Sequence, residues 1–273
     1  MQNLFSMKRI LIKILLVFVV GLTSCGGYNS IVKSTDNNLK YEKASEYYES
    51  GDYVKAASLY EAVIPSLRGT EKGEEGLYKL AMAHFKNEDY ELAKSYFTTY
   101  TRGYPKGKYV EDAAFNIGYS FYKNSPDVKL DQTNTKKAIE SFLSFSESYP
   151  QSDKLPEVAK ILTELQEKLA EKEYNNALLY YKLGDYMGNN YLSAVVTATN
   201  ALKLYPESKY KEELYFLILQ SKFMQAEKSV EEKLKDRYRD TVDEYYNFIN
   251  EFPNSKYKKE AERMFKKAQK SIE

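Results

Sequence analysis

Residues 205–210 read YPESKY and residues 252–257 read FPNSKY. The same phrase, aromatic-Pro-x-Ser-Lys-Tyr, stands twice in one chain, and YPKGKY (104–109) and YPQSDK (149–154) are two further copies. Each copy couples a stop to a start. Pro pushes the residue before it out of the α region, so a helix ends at the aromatic. Ser152, Ser208 and Ser255 follow two residues after the Pro, placed to cap the next helix through their hydroxyls. Gly107 takes that slot in the remaining copy. The phrase therefore reads as a joint between helices.

Working outward from the joints exposes a repeat. Fifteen residues before Pro105, Pro150, Pro206 and Pro253 stand Tyr90, Thr135, Tyr191 and Tyr238. Three residues after those starts stand Ala93, Ala138, Ala194 and Thr241. Phe97, Phe142 and Tyr245 lie seven residues before their closing aromatic. An upstream register shows a shift of 37: YEKASEYYESGDY (41–53), YKLAMAHFKNEDY (78–90) and FNIGYSFYKNSPD (115–127). It aligns Ala44, Ala81 and Gly118 in one column and Tyr47, His84 and Phe121 in another. The first unit departs from the pattern. Tyr53, Ala56 and Tyr60 fit, but Leu67 occupies the closing aromatic column and no Pro follows it.

A small residue in each helix lets neighbouring helices approach closely, and a large ring beside it fills the remaining space. These columns resemble the tetratricopeptide repeat. They predict an all-α fold, an α-solenoid of about five tetratricopeptide-like helical pairs plus a C-terminal capping helix. One pair cannot bury its own apolar face, whereas stacked pairs can. The fourth A helix is expected to be long, with Pro156 in its first turn, a stripe of Val158, Ile161, Leu162, Leu165 and Leu169, and an end near Leu183. The cap is expected from Lys256 to about Ser271, with Ala261, Met264, Phe265 and Ala268 on one face.

Composition narrows the function. The chain has 273 residues, 29% charged, with net charge +1, 27 Tyr and no Trp. Lys8, Arg9 and Lys13 lie in the leader, which leaves 37 basic against 39 acidic residues beyond it. No basic excess points to nucleic acid. A single Cys and a single His exclude an internal disulfide, a thiolate metal cage and a His-paired metal site. His84 falls in a packing column and is expected between helices. No Gly-rich phosphate loop is present, no cofactor is expected, and the chain reads as no enzyme. The charge cluster KSVEEKLKDRYRD (228–240) reads as a solvated helix end and loop.

The leader, MKRILIKILLVFVVGLTSC (7–25), has a charged start and an apolar run too short for a comfortable membrane span. Leu22-Thr23-Ser24-Cys25 resembles the bacterial lipoprotein box, which implies a diacylglyceryl group on Cys25. Expected divisions are a lipoprotein signal peptide at 1–24, the lipidated Cys25 with a flexible tether to 38, N-terminal repeats 1–3 at 39–154, and repeats 4–5 with the cap at 155–273. The tether lacks an acidic export-like run, which leans towards a periplasmic face.

Within tetratricopeptide-like A helices, the residues three before and four after the small column share one stripe. Here they are Tyr41 and Tyr48, Tyr78 and Phe85, Phe115 and Tyr122, all aromatic, with Met82 and Tyr119 between them. Spacing of seven keeps each pair on one helix face. Two readings stand: packed core, or an exposed wall suited to an extended aromatic-rich peptide.

The lipobox, short tether, five helical pairs and Tyr-Pro-x-Ser joints together resemble the BamD family of the outer-membrane β-barrel assembly machine. That resemblance implies a lipid-anchored scaffold at the periplasmic face of the outer membrane. Its C-terminal repeats would hold the periplasmic domains of the β-barrel insertase, and its N-terminal repeats would receive targeting segments of unfolded barrel proteins. The alternative is another tetratricopeptide lipoprotein adaptor, recruiting peptidoglycan or cell-division enzymes. A surface glycan-uptake lipoprotein is disfavoured by the absence of Trp.

Overall fold

The computed structural model describes residues 24–273, with side chains from Gly27 onward. The leader and the side chain of Cys25 lie outside the described residues. Twelve α-helices follow one another, with no strand among the described residues: α1 Ser24–Lys33, α2 Asn37–Glu49, α3 Tyr53–Val63, α4 Glu71–Lys86, α5 Tyr90–Gly103, α6 Val110–Lys123, α7 Thr133–Ser148, α8 Leu155–Leu183, α9 Asn190–Leu204, α10 Lys211–Glu227, α11 Glu231–Glu251 and α12 Lys258–Ile272. By chain order α2 to α11 are the five expected pairs and α12 is the cap. No described helix is long and apolar enough to cross a membrane.

The chain divides into two compact units, one ending at Asn124 and one running Ser125–Glu273. The division falls in the enlarged loop before α7. In the first unit each helix from α2 to α5 packs on the next; in the second, α8 also packs on α10, and α10 on α12.

The small columns do what their chemistry requires. Ala44, Ala81, Ala56, Ala93, Ala138 and Ala194 are all fully buried. So are Tyr60, Phe97 and Phe142, the rings expected to fill the space beside them. In the second unit Leu214, Leu219, Phe248 and Met264 complete the interior.

Three expectations are corrected. The segment read as a tether is helical as α1, and Tyr28 packs edge-on against Tyr47 at 5.7 Å. Its polar composition hid the one aromatic that anchors it. In the cluster at 228–240 only residues 228–230 form a turn, because α11 begins at Glu231 and carries the rest. Tyr238 is buried and bonds Glu227, while Arg237 donates to the Gln225 carbonyl and to Ser229 Oγ. The charges thus tie α11 back to α10. On the cap, Phe265 packs half-buried beside Ala261, Met264 and Ala268 and stacks on Tyr245 at 4.2 Å. The joint serines do not cap their helices directly. Ser208 and Ser255 accept from the amides of Tyr210 and Tyr257, at 3.2 and 2.9 Å, and Ser152 from that of Lys154 at 3.2 Å. Those hydroxyls shape a turn ahead of the helix, a local side-chain-to-backbone bond of the kind Ser favours.

Each full joint also carries a stack. The closing Tyr lies face to face with a ring of the preceding A helix. Tyr109 stacks on Tyr78 at 4.4 Å and 7°, Tyr210 on Tyr174 at 5.3 Å and 18°, and Tyr257 on Phe216 at 4.2 Å and 6°. The preceding lysine sits near the ring it adjoins: Lys108, Lys209 and Lys256 lie 5.2, 5.1 and 4.9 Å from the centroids. The copy at 149–154 ends in Lys154 and has no closing Tyr for such a stack.

Candidate functional site

All eight stripe residues lie in the first unit, on α2, α4 and α6. Their burial divides them. Tyr41 and Phe115 are core, at 7% and 8% exposure. Tyr48, Tyr78, Met82, Phe85, Tyr119 and Tyr122 are half-buried. By contrast, the B-helix rings Tyr60, Phe97 and Tyr100 of the same unit are completely buried. Tyr48, Tyr78, Phe85, Tyr119 and Tyr122 therefore keep one surface at the boundary.

A network of ring contacts holds the wall. Tyr41 meets Tyr60 edge-on at 5.7 Å, and its hydroxyl donates to Glu75 Oε2 at 3.3 Å. Burial first, then the Glu75 charge, pushes the Tyr41 phenol well above its ordinary range. Tyr78 packs on Phe97 and Tyr100 beneath its stack with Tyr109, so it belongs to the joint as much as to the wall. Phe85 reaches Tyr119 at 5.8 Å across α4 and α6, and Tyr119 in turn meets Phe115 and Tyr122 at 5.5 Å each. Met82 Sδ lies 3.9 Å from Asn116 Nδ2. The structure thus joins Phe85, Phe115, Tyr119 and Tyr122 into one cluster. Tyr41 and Tyr48 flank it on α2.

Lys79 was missed in the sequence. Its ammonium lies 5.8 Å from the Tyr48 ring and pairs with Glu75 at 3.0 Å and Glu49 at 3.6 Å. The Lys79 hydrogen bond holds the Glu75 carboxyl below its ordinary value. A Lys one residue after a Tyr looks like surface from sequence, and only the crossing of α2 with α4 brings it to Tyr48. The wall therefore presents phenol and thioether surface beside a fixed ion pair. It holds no nucleophile–base pair. Among the described residues no His, Cys, Asp and Glu group is arranged to hold a metal ion. His84 is packed between helices, stacked on Tyr96 at 5.3 Å with Nε2 3.3 Å from Glu61.

A second concavity lies on another face of α4. It measures about 510 Å3 and is lined by Ile64, Leu77, Leu80, Tyr96 and Tyr104, with Glu61, Arg68 and Thr99 among its polar groups.

The YfiO family model, described as outer membrane lipoprotein, matches residues 33–189 and 183–272. The chain belongs to this family. A protein of Aquifex aeolicus (strain VF5), named as an outer membrane protein assembly factor BamD, is 26% identical over 228 residues, covering 83% of this chain and 72% of that protein. Among solved structures, the TPR2AB-domain:pHSP90-complex of yeast Sti1 aligns over 85% of this chain and 98% of that one, at 16% identity and a TM-score of 0.40. The joints that decide the fold fall inside the family match, as do the whole aromatic wall and its Lys79–Glu75 pair.

Proposed function

We propose that the protein is a non-catalytic scaffold of outer-membrane protein assembly. Cys25 carries the lipid, and the chain is held on the periplasmic face of the outer membrane. Two or more acyl chains suffice for a stable anchor, where one is marginal. The aromatic wall of the first unit takes targeting segments of unfolded barrel proteins. Repeats of the second unit hold the periplasmic domains of the barrel insertase.

One observation carries the reading of the wall. The B-helix rings Tyr60, Phe97 and Tyr100 are completely buried, whereas six wall side chains stay half-buried. Rigid rings with phenol tips give large contact area at small entropic cost, and they suit extended aromatic segments. The mechanism is binding without chemistry. Anchoring raises the effective concentration of both partners, so weak contacts at each surface suffice.

Affinity capture from detergent-solubilised outer membrane tests the assembly role. The expected result is recovery of a large β-barrel insertase, with barrel proteins failing to reach the membrane on depletion. Recovery of peptidoglycan hydrolases alone, with barrel assembly intact on depletion, would overturn it. For the wall, the triple variant Tyr48→Ala, Tyr78→Ala, Tyr122→Ala is expected to lose peptide crosslinking. Unchanged crosslinking would sink the groove.

A further inference from the structure

The terminal helix α12 uses its two faces differently. It carries six basic residues against two acidic, in a chain that beyond the leader has 37 basic against 39 acidic. Ala261, Met264 and Ala268 are buried in the second unit. Lys259, Arg263, Lys266 and Lys270 recur at helical spacing, which keeps them within about 60° of one another, opposite that buried face, along ~16 Å of helix. All four are exposed, and none has a hydrogen bond or ion pair to any described residue. Two carboxylates flank the stripe: Glu262, and Glu260, which accepts from Gln220 on α10 at 3.4 Å. Lysines at its margins are neutralised, Lys256 by Glu213 at 2.8 Å and Lys267 by Glu227. Beside the unpaired cations lies a hollow of about 650 Å3, lined by Lys256, Tyr257, Lys259, Arg263 and Lys266.

We infer that this face of α12 is a membrane contact, taking the phosphate headgroups of an anionic phospholipid surface. Charge and place argue together. A row of four unpaired cations is long enough to span several headgroups and suits spread negative charge better than one ion. The chain belongs to a family of outer membrane lipoproteins, so a phospholipid surface is at hand. The contact is peripheral, because the apolar side of α12 is committed to the interior and has nothing to insert. It turns this side of the second unit to the bilayer. It stands or falls independently of the lipid proposed on Cys25 and of the aromatic wall.

Vesicle co-sedimentation tests it, with residues 25–273 carrying Cys25→Ser, so that neither leader nor acyl chain contributes and helices α2 to α12 are kept whole. Phosphatidylcholine vesicles with about one-third phosphatidylglycerol are expected to bind the chain at ~0.05 M salt and to release it at ~0.5 M, and pure phosphatidylcholine vesicles are expected to leave it in solution. Each cation is worth roughly fivefold, so Arg263→Gln with Lys266→Gln is expected to weaken binding about 25-fold. Lys160→Gln with Lys203→Gln removes the same charge from exposed positions on α8 and α9 and is expected to change binding by less than about twofold. No binding to the anionic vesicles, equal binding to the neutral ones, or an equal loss in both double variants would overturn the inference. Polyglutamate captured through the stripe by a chain that vesicles do not retain would also overturn it, in favour of an acidic protein partner.

Discussion

The joint at 104–109 and the joint at 205–210 are the same phrase built from different atoms. In the second unit, Ser208 Oγ donates to Glu167 Oε2 at 3.0 Å and accepts from the Tyr210 amide, while the Lys209 amide donates to Glu167 Oε1 at 3.2 Å. At the first unit's joint no serine is present. Tyr100 hydroxyl donates to Glu74 Oε1 at 2.7 Å and accepts from the Tyr109 amide at 3.0 Å, while the Lys108 amide donates to Glu74 Oε1 at 2.7 Å. Tyr100 on α5 supplies the hydroxyl that serine supplies elsewhere. That explains Gly107: a Cβ there would stand 2.6 Å from both the Tyr100 hydroxyl and Glu74 Oε1. A repeat conserves a hydrogen-bond pattern, and the residue that serves it can move to another helix.

Gly107→Ser should be the most damaging change at either joint, costing about 3 kcal/mol by overpacking, read from urea denaturation with hydrogen exchange following α4 to α6. A near-neutral result would mean that the two joints are interchangeable. Tyr100→Phe follows, at about 2 kcal/mol, because it strands the Tyr109 amide and takes away one of the two donors to Glu74 Oε1. Ser208→Ala in the second unit should cost only about 1 kcal/mol. Combining Gly107→Ser with Tyr100→Phe sharpens the comparison, since serine then has room to supply the missing hydroxyl. The double variant should be less destabilised than the sum of its parts by about 1 kcal/mol. Strict additivity would contradict the exchange of roles.

Two smaller effects separate the wall from the joints. Glu75, held by Lys79, has its carboxyl lowered from an ordinary value of 4.5. Its contribution is therefore present above that value and is lost as pH falls through the lower, folded one. Glu75→Gln should lower first-unit stability by a constant amount above pH ~5, flatten this acid limb, and change little at pH values below the folded one. The least change is a gain. Gly51 and Glu88 occupy matching turn positions one repeat apart, both with left-handed backbone, at φ 83 and 62°. A side chain there is strained, so Glu88→Gly should stabilise by about 1 kcal/mol, seen as a raised Tm.

Much of this was legible in the sequence because the repeat writes each contact several times. The buried Ala columns, the long α8 ending at Leu183 and the terminal cap followed from spacing alone. What escaped was chemistry crossing between repeats. Tyr100 looks like one more B-helix ring, and nothing local says that its hydroxyl completes a turn nine residues on. The Tyr109, Tyr210 and Tyr257 stacks were hidden for the same reason, since each partner ring lies on the helix before. The wall was legible as a stripe, but spacing could not say that Tyr41 and Phe115 turn inward while Tyr122 stays at the boundary. The cleft was legible only as a defect, Leu67-Arg68 in place of an aromatic and Pro.

The central claim is that substrate meets the first unit at its aromatic wall. A photocrosslinking residue at position 122, compared in living cells with one at exposed Tyr246 of the second unit, tests it most directly. The account predicts adducts with unfolded outer-membrane barrel proteins from position 122 and none from position 246. Equal adducts at both positions, or adducts from 246 alone, would contradict it.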